Sequence, residues 1–186
     1  ENEIINYLNS TNFFYNKKIL HVGIGNSFLA QNLNNYQFID GLTISNNELL
    51  KGESLNLYNY RIFFKNKYSK GDLIKNKNNF YDIIIDNNLK SFACCEFSFN
   101  DLIKKYNKYL KIKGYIISSL KGMSWSRMIK PVYSFSKKKL LHKRLKEFDG
   151  PSSNLMNLND CENLSSKYGF SMSFASKNLI LFQKND

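Results

Sequence analysis

The sequence predicts an α/β fold, a mostly parallel sheet with helices on both faces and an antiparallel hairpin at its C-terminal end. Two features carry this reading. Short apolar runs alternate with segments of helical periodicity, and one run, Ile83-Ile84-Ile85, is apolar at consecutive positions, as a strand buried on both faces requires. Near the C-terminus, two apolar runs are separated only by Ser176-Lys177, the pattern of a hairpin.

Each element follows in order. Residues 18–23 read as a buried strand ending in glycine, and Asn26 to Leu33 as a helix with Phe28, Leu29 and Leu33 at helical spacing. A second strand spans Tyr36 to Leu42. A second helix covers Asn46 to Lys51, with Ser45 or Asn46 as the capping residue. Tyr60 to Lys65 and Tyr81 to Asp86 are strands three and four, joined by a polar stretch poor in helical signal. Phe97 to Leu110 places Phe99, Leu102, Ile103, Tyr106 and Leu110 three or four residues apart, an amphipathic helix. Lys113-Gly114 then turns the chain into strand five, Tyr115 to Ser119. A basic segment (136–148), a loop at Asp149-Gly150-Pro151 and a helix from Asn159 to Tyr168 precede the hairpin, Gly169 to Ala175 with Asn178 to Gln183.

With 186 residues and no internal repeat or proline-rich linker, the chain is expected to form one domain over residues 1–186. No apolar run reaches the length of a membrane span, and the N-terminal residues lack the pattern of a signal peptide, so a cytoplasmic protein is expected. Cys94, Cys95 and Cys161 do not suit a disulfide framework, and Cys94-Cys95 lacks the paired spacing of a zinc site. No metal is expected. The net charge of +12 admits a nucleic-acid partner. It equally fits a compositional bias toward Lys and Asn, since Arg occurs only at Arg61, Arg127 and Arg144.

In an open parallel sheet, ligands bind beyond the carboxyl ends of the strands. The segment His21-Val22-Gly23-Ile24-Gly25-Asn26-Ser27 occupies the first strand-to-helix turn, where Gly23 and Gly25 let backbone approach a ligand. A dinucleotide fingerprint would need a small residue where Phe28 stands, whereas a Gly-x-Gly-x-Gly spacing puts the small Ser27 in third place.

At these residues the chain resembles the class I S-adenosylmethionine (SAM)-dependent methyltransferases, whose fold is Rossmann-like. Residues 18–25 look like their motif I, residues 38–45 like motif II, residues 81–86 like motif IV, and residues 110–118 like the turn into strand five. The resemblance implies SAM as cofactor, held by His21, Gly23, Gly25, Ser27, Thr43, Glu48, Asn66 and Asp86. Two positions depart from the family pattern. His21 stands where an acid usually contacts the methionine end of SAM, and Thr43 where an acid usually grips the ribose. The segment from Gly41 to Glu48 is similar to the variant motif II of the cyclopropane fatty acid synthase branch, in which Thr replaces the acid and a polar residue five positions on holds the ribose. Glu48 takes that place.

Methyl transfer from a sulfonium is an in-line displacement that needs little covalent help. The expected substrate side comprises Asn87, Asn88 and Phe92 after strand four and Lys121 and Trp125 after strand five, with Asp86 as a general base or, equally, a capping aspartate. Phe13, Phe14 and Tyr15 read as a lid over the cofactor or as packing, and His142 as a base or part of a solvated helix face. His21 is expected to be buried and neutral. The resemblance implies an enzyme that methylates a small-molecule acceptor. The alternatives are an RNA or DNA methyltransferase, an aminopropyl-transferring synthase on the same fold, and a binding or regulatory protein without activity. The oligomeric state is not readable from the sequence.

Overall fold

The computed structural model describes residues 1–11, 15–69, 71–89, 99–120, 156 and 158–186. The elements are α1 (Asn2–Ser10), β1 (Lys18–Val22), α2 (Phe28–Asn32), β2 (Phe38–Thr43), α3 (Asn46–Ser54), β3 (Tyr60–Phe64), β4 (Tyr81–Asp86), α4 (Phe99–Tyr109), β5 (Leu110–Ser119), α5 (Leu158–Tyr168), β6 (Phe170–Phe174) and β7 (Leu179–Lys184). All seven strands form one sheet in the order β3-β2-β1-β4-β5-β7-β6. The pairs from β3 through β5 are parallel, and β7 runs antiparallel to both β5 and β6. The predicted fold class is therefore the observed one. Strand order reverses between β1 and β4, whose pairing sets Val22 opposite Asp86.

Alternate side chains of each strand enter two apolar layers. On one face Leu20, Ile84, Ile116 and Phe182 pack with Leu102, Ile103 and Tyr106 of α4 and Cys161 and Leu164 of α5. On the other, Ile19, Ile39, Ile83, Ile85 and Ile117 pack with Ile4, Ile5 and Leu8 of α1 and Leu29 and Ala30 of α2. The β3-to-β4 connection contains no helix. Tyr68, Leu73 and Ile74 of this connection cover the first layer, and the Leu73 amide donates to the buried Tyr109 hydroxyl at 2.7 Å.

Two expectations need revision. Helix α1 is absent from the sequence reading, because its asparagines mask the stripe formed by Ile4, Ile5 and Leu8. Lys113-Gly114 is not a turn before strand five, since β5 already begins at Leu110. Tyr81 pairs with Leu110 and Ile83 with Tyr115, so the surplus residues form a bulge. Lys113 takes a φ of +60° there. A Cβ at Gly114 would lie 2.9 Å from the Lys111 carbonyl and 3.0 Å from that of Asp82, which is why glycine fits. Among the described residues, no helix is long and apolar enough to cross a membrane.

Candidate functional site

The carboxyl ends of β2, β1 and β4 lie side by side, with Val22 registered against Leu42 on one side and Asp86 on the other. Here the chain leaves β1 through Gly23 (φ +76°) and Gly25 (φ +52°). Nothing lies within 4 Å of a Cβ built on either glycine. The positive φ values, not crowding, therefore favour glycine, and the space above the turn is open. The turn is anchored by the Gly23 and Ile24 amides, which donate to the Leu42 carbonyl at 2.9 and 3.2 Å.

Ser27 follows in the left-handed conformation (φ +58°) with a fully buried side chain. Its hydroxyl is hydrogen-bonded to the Tyr60 hydroxyl at 2.9 Å, so it faces the interior and not the crevice. Two further glycines make this packing possible. A Cβ at Gly41 would meet Ile24 Cγ2 at 2.7 Å, and one at Gly52 would meet Ile62 Cδ1 at 2.2 Å and Ser27 Oγ at 2.9 Å.

At the tip of β2 the buried Thr43 hydroxyl donates to Glu48 Oε2 at 2.5 Å and accepts from the Ser45 amide at 3.0 Å. Ser45 caps α3 by accepting from the Glu48 amide at 3.4 Å. The cap turns the first helical residues back toward the strand, and a carboxylate from α3 thereby reaches the position that threonine itself cannot charge. Ile44, between them, is 68 % exposed, an aliphatic side chain facing solvent beside the turn.

Asp86 ends β4 and is 1 % exposed. Its carboxylate accepts from Lys67 Nζ at 2.9 Å, from the Tyr106 hydroxyl at 2.8 Å and from the Asn88 amide at 3.1 Å. Lys67 also donates to the carbonyls of Asn88 (2.7 Å) and Leu89 (3.4 Å), so its three ammonium hydrogens have three acceptors. Burial draws the Lys67 pKa below the usual lysine range, against the opposing pull of Asp86. Burial and the nearby Asp86 charge push the Tyr106 phenol well up, which leaves it a proton donor. Lys67 comes from the far side of β1 and β2, and its ammonium sits at the strand-order reversal where ligands bind in such sheets.

His21 is fully buried between Gly41 of β2 and Ile85 of β4. Desolvation, reinforced by the positive chain terminus, brings its pKa down to about 4, so the imidazole is neutral at pH 7. Its Nε2 lies 3.5 Å from Glu1 Oε1, yet neither ring nitrogen has a hydrogen-bond partner. Asn66 is exposed after β3, and its side-chain carbonyl accepts from the Tyr68 amide at 2.9 Å, closing a local turn. Asn87 is half-buried, and the buried Asn88 Oδ1 has no hydrogen-bond partner. Tyr15 is 72 % exposed. Phe13, Phe14, Phe92, Cys94, Cys95, Lys121, Trp125 and His142 lie outside the described residues.

The fold thus brings Gly23, Gly25, Thr43, Glu48, Asp86 and Asn88 to one end of three adjacent strands, as the sequence reading grouped them. It adds Lys67 as a bridge, Tyr106 as the second side-chain donor to Asp86, and Glu1 beside His21. Among the described residues no group of three or more His, Cys, Asp or Glu side chains is placed to hold a metal.

No family model matches the chain, and no curated protein matches it. Solved structures do. A Listeria monocytogenes protein described as a SAM-dependent methyltransferase superposes with a TM-score of 0.63 at 14 % identity over 100 % of both chains. A SAM-dependent methyltransferase from Aquifex aeolicus gives 0.58 at 10 % identity, over 95 % of this chain and 85 % of the other. A chain from the complex of the Haloferax volcanii Trm112 methyltransferase activator with a methyltransferase gives 0.66 at 7 % identity, over 97 % and 88 %. At these identities the likeness is one of fold: the chain has the Rossmann-like α/β fold found in SAM-dependent methyltransferases.

Proposed function

We propose that residues 1–186 act as one SAM-binding unit that transfers the methyl group to a small-molecule acceptor. The carrying observation is the Thr43–Glu48 pair at the tip of β2, one strand from the open turn at Gly23 and Gly25. A carboxylate there suits the two ribose hydroxyls of a nucleoside, through charge-assisted hydrogen bonds. The open space above the glycines admits the ligand against the main chain, and the exposed Ile44 offers an apolar surface for a base. Asn66, after β3, is assigned to the adenine side, as are the Gly25 and Ser27 backbone positions to the turn itself.

On this reading Asp86 is a positioning residue and not a general base. Its carboxylate already holds Lys67, Tyr106 and the Asn88 amide, and it is 1 % exposed. The sulfonium supplies an activated methyl group when SAM is bound. The protein's part is then to orient the acceptor and exclude water. The unpartnered Asn88 Oδ1 is a ready acceptor for a substrate donor, with Asn87 beside it and Phe92, Lys121 and Trp125 completing the acceptor side.

Isothermal titration with SAM and S-adenosylhomocysteine tests this. The unmodified protein is expected to bind both, and Glu48→Gln to weaken binding roughly tenfold or more, the worth of a charge-assisted hydrogen bond. Absence of binding by the unmodified protein would overturn the reading.

A nucleic-acid acceptor is the second reading. Lys18 and Lys77 stand 4.4 and 3.4 Å from the Phe80 ring centroid and Arg61 5.0 Å from that of Phe38, a concentration of positive charge at the opposite end of the strands. RNA affinity that falls steeply between low and moderate salt would favour it, and salt-independent or undetectable RNA binding would remove it.

A further inference from the structure

Glu1 precedes α1 in the N-cap position, yet its side chain makes no capping hydrogen bond. Instead its Oε1 lies 3.5 Å from Nε2 of His21, the residue two before Gly23. The Glu1 side chain is 24 % exposed, buried enough to be costly as a charge and open enough to be reached. The charge of Glu48 is felt at Glu1 as well, and Tyr60 feels both carboxylates. Among the described residues no lysine or arginine is ion-paired with Glu1 or Glu48, although the chain carries a net charge of +12. The neutral His21 does not compensate them either, and its two ring nitrogens are buried without hydrogen-bond partners.

Two carboxylates and an unsatisfied imidazole thus converge beside a turn with open space above it. A primary ammonium group answers all of these at once, since it brings a full positive charge and three donors. We propose that Glu1, with His21 behind it, binds the ammonium group of an amino-acid-bearing ligand in this crevice. Resting on the cofactor reading above, this makes Glu1 the recognition residue for the α-ammonium of SAM, a carboxylate delivered by α1 to a strand whose own residue there is a histidine.

The test compares S-adenosylhomocysteine with its des-amino analogue, in which hydrogen replaces the α-ammonium, by isothermal titration. Glu1→Gln is nearly isosteric and removes no capping bond, so folding is expected to be retained, as circular dichroism would report. It should weaken S-adenosylhomocysteine roughly tenfold or more while changing the des-amino analogue by less than about twofold. Glu3→Gln removes the same charge from a helix position whose carboxylate instead accepts from Ser176, and it should change neither affinity. An equal loss for both ligands in Glu1→Gln, or no loss for either, overturns the proposal. If the unmodified protein binds neither ligand, the cofactor reading itself falls, and that is visible before any variant is compared.

Discussion

Lys67→Met is expected to destabilise the protein by about 3–5 kcal/mol, the cost of leaving a buried carboxylate without its cation. Lys67 and Asp86 are 2.9 Å apart, with side chains 10 % and 1 % exposed, so solvent cannot substitute for the missing ammonium. The two carbonyls of Asn88 and Leu89 lose a donor in the same step. Urea unfolding measures the loss, and a change below about 1 kcal/mol would assign the bridge to the class of weak surface pairs. Lys67→Met combined with Asp86→Asn should recover part of the stability, since the two residues share one network and their effects cannot add. Because Lys67 ties the segment after β3 to the segment after β4, titration of Lys67→Met with S-adenosylhomocysteine should also show weaker binding.

Acid sensitivity is the second large effect. The His21 pKa stands near 4 in the folded protein, against an ordinary value near 6.5. Between those values the unfolded chain binds a proton that the folded protein refuses. Stability is therefore complete above about pH 6.5 and declines as the pH falls toward 4, by about 3 kcal/mol in total. Glu1, whose carboxyl burial pushes up, titrates in the opposite sense over part of this range, so the informative quantity is a difference between proteins. His21→Leu should match the unmodified protein in neutral urea denaturation and exceed it at pH 4 by about that amount. Parallel pH profiles for the two proteins would show that His21 does not carry the dependence.

Legibility followed sequence distance. Thr43 and Glu48 are five residues apart across a strand-to-helix turn, so their bond could be anticipated from local spacing. The glycines after β1 and the apolar run of β4 were readable for the same reason, since each depends on the residue's own backbone or burial. Lys67 with Asp86 was not, because their contact requires β3 to sit two strands from β4, a fact of sheet order. The inward turn of the Ser27 hydroxyl was hidden likewise, as it depends on Tyr60 lying across Gly41. Glu1 gave no signal, since α1 itself was missed. Tyr106 was legible as a buried helix residue, but its hydroxyl's partner was not.

The strand reversal also bears on how the protein assembles. The β1–β4 seam joins groups sixty-four positions apart, as in the bond from the Lys18 amide to Asp82. Each half of the sheet closes through shorter loops than this seam, so contact formation across it is the slow, entropically demanding event. The crevice straddles that same seam. A molecule lodged there touches both halves and binds only when they have met, so its free energy adds directly to their cohesion, rising with the logarithm of its concentration. Occupancy would then act on lifetime in the cell: protein supplied with its ligand would open along the seam less often, and proteases would find fewer chains to cut.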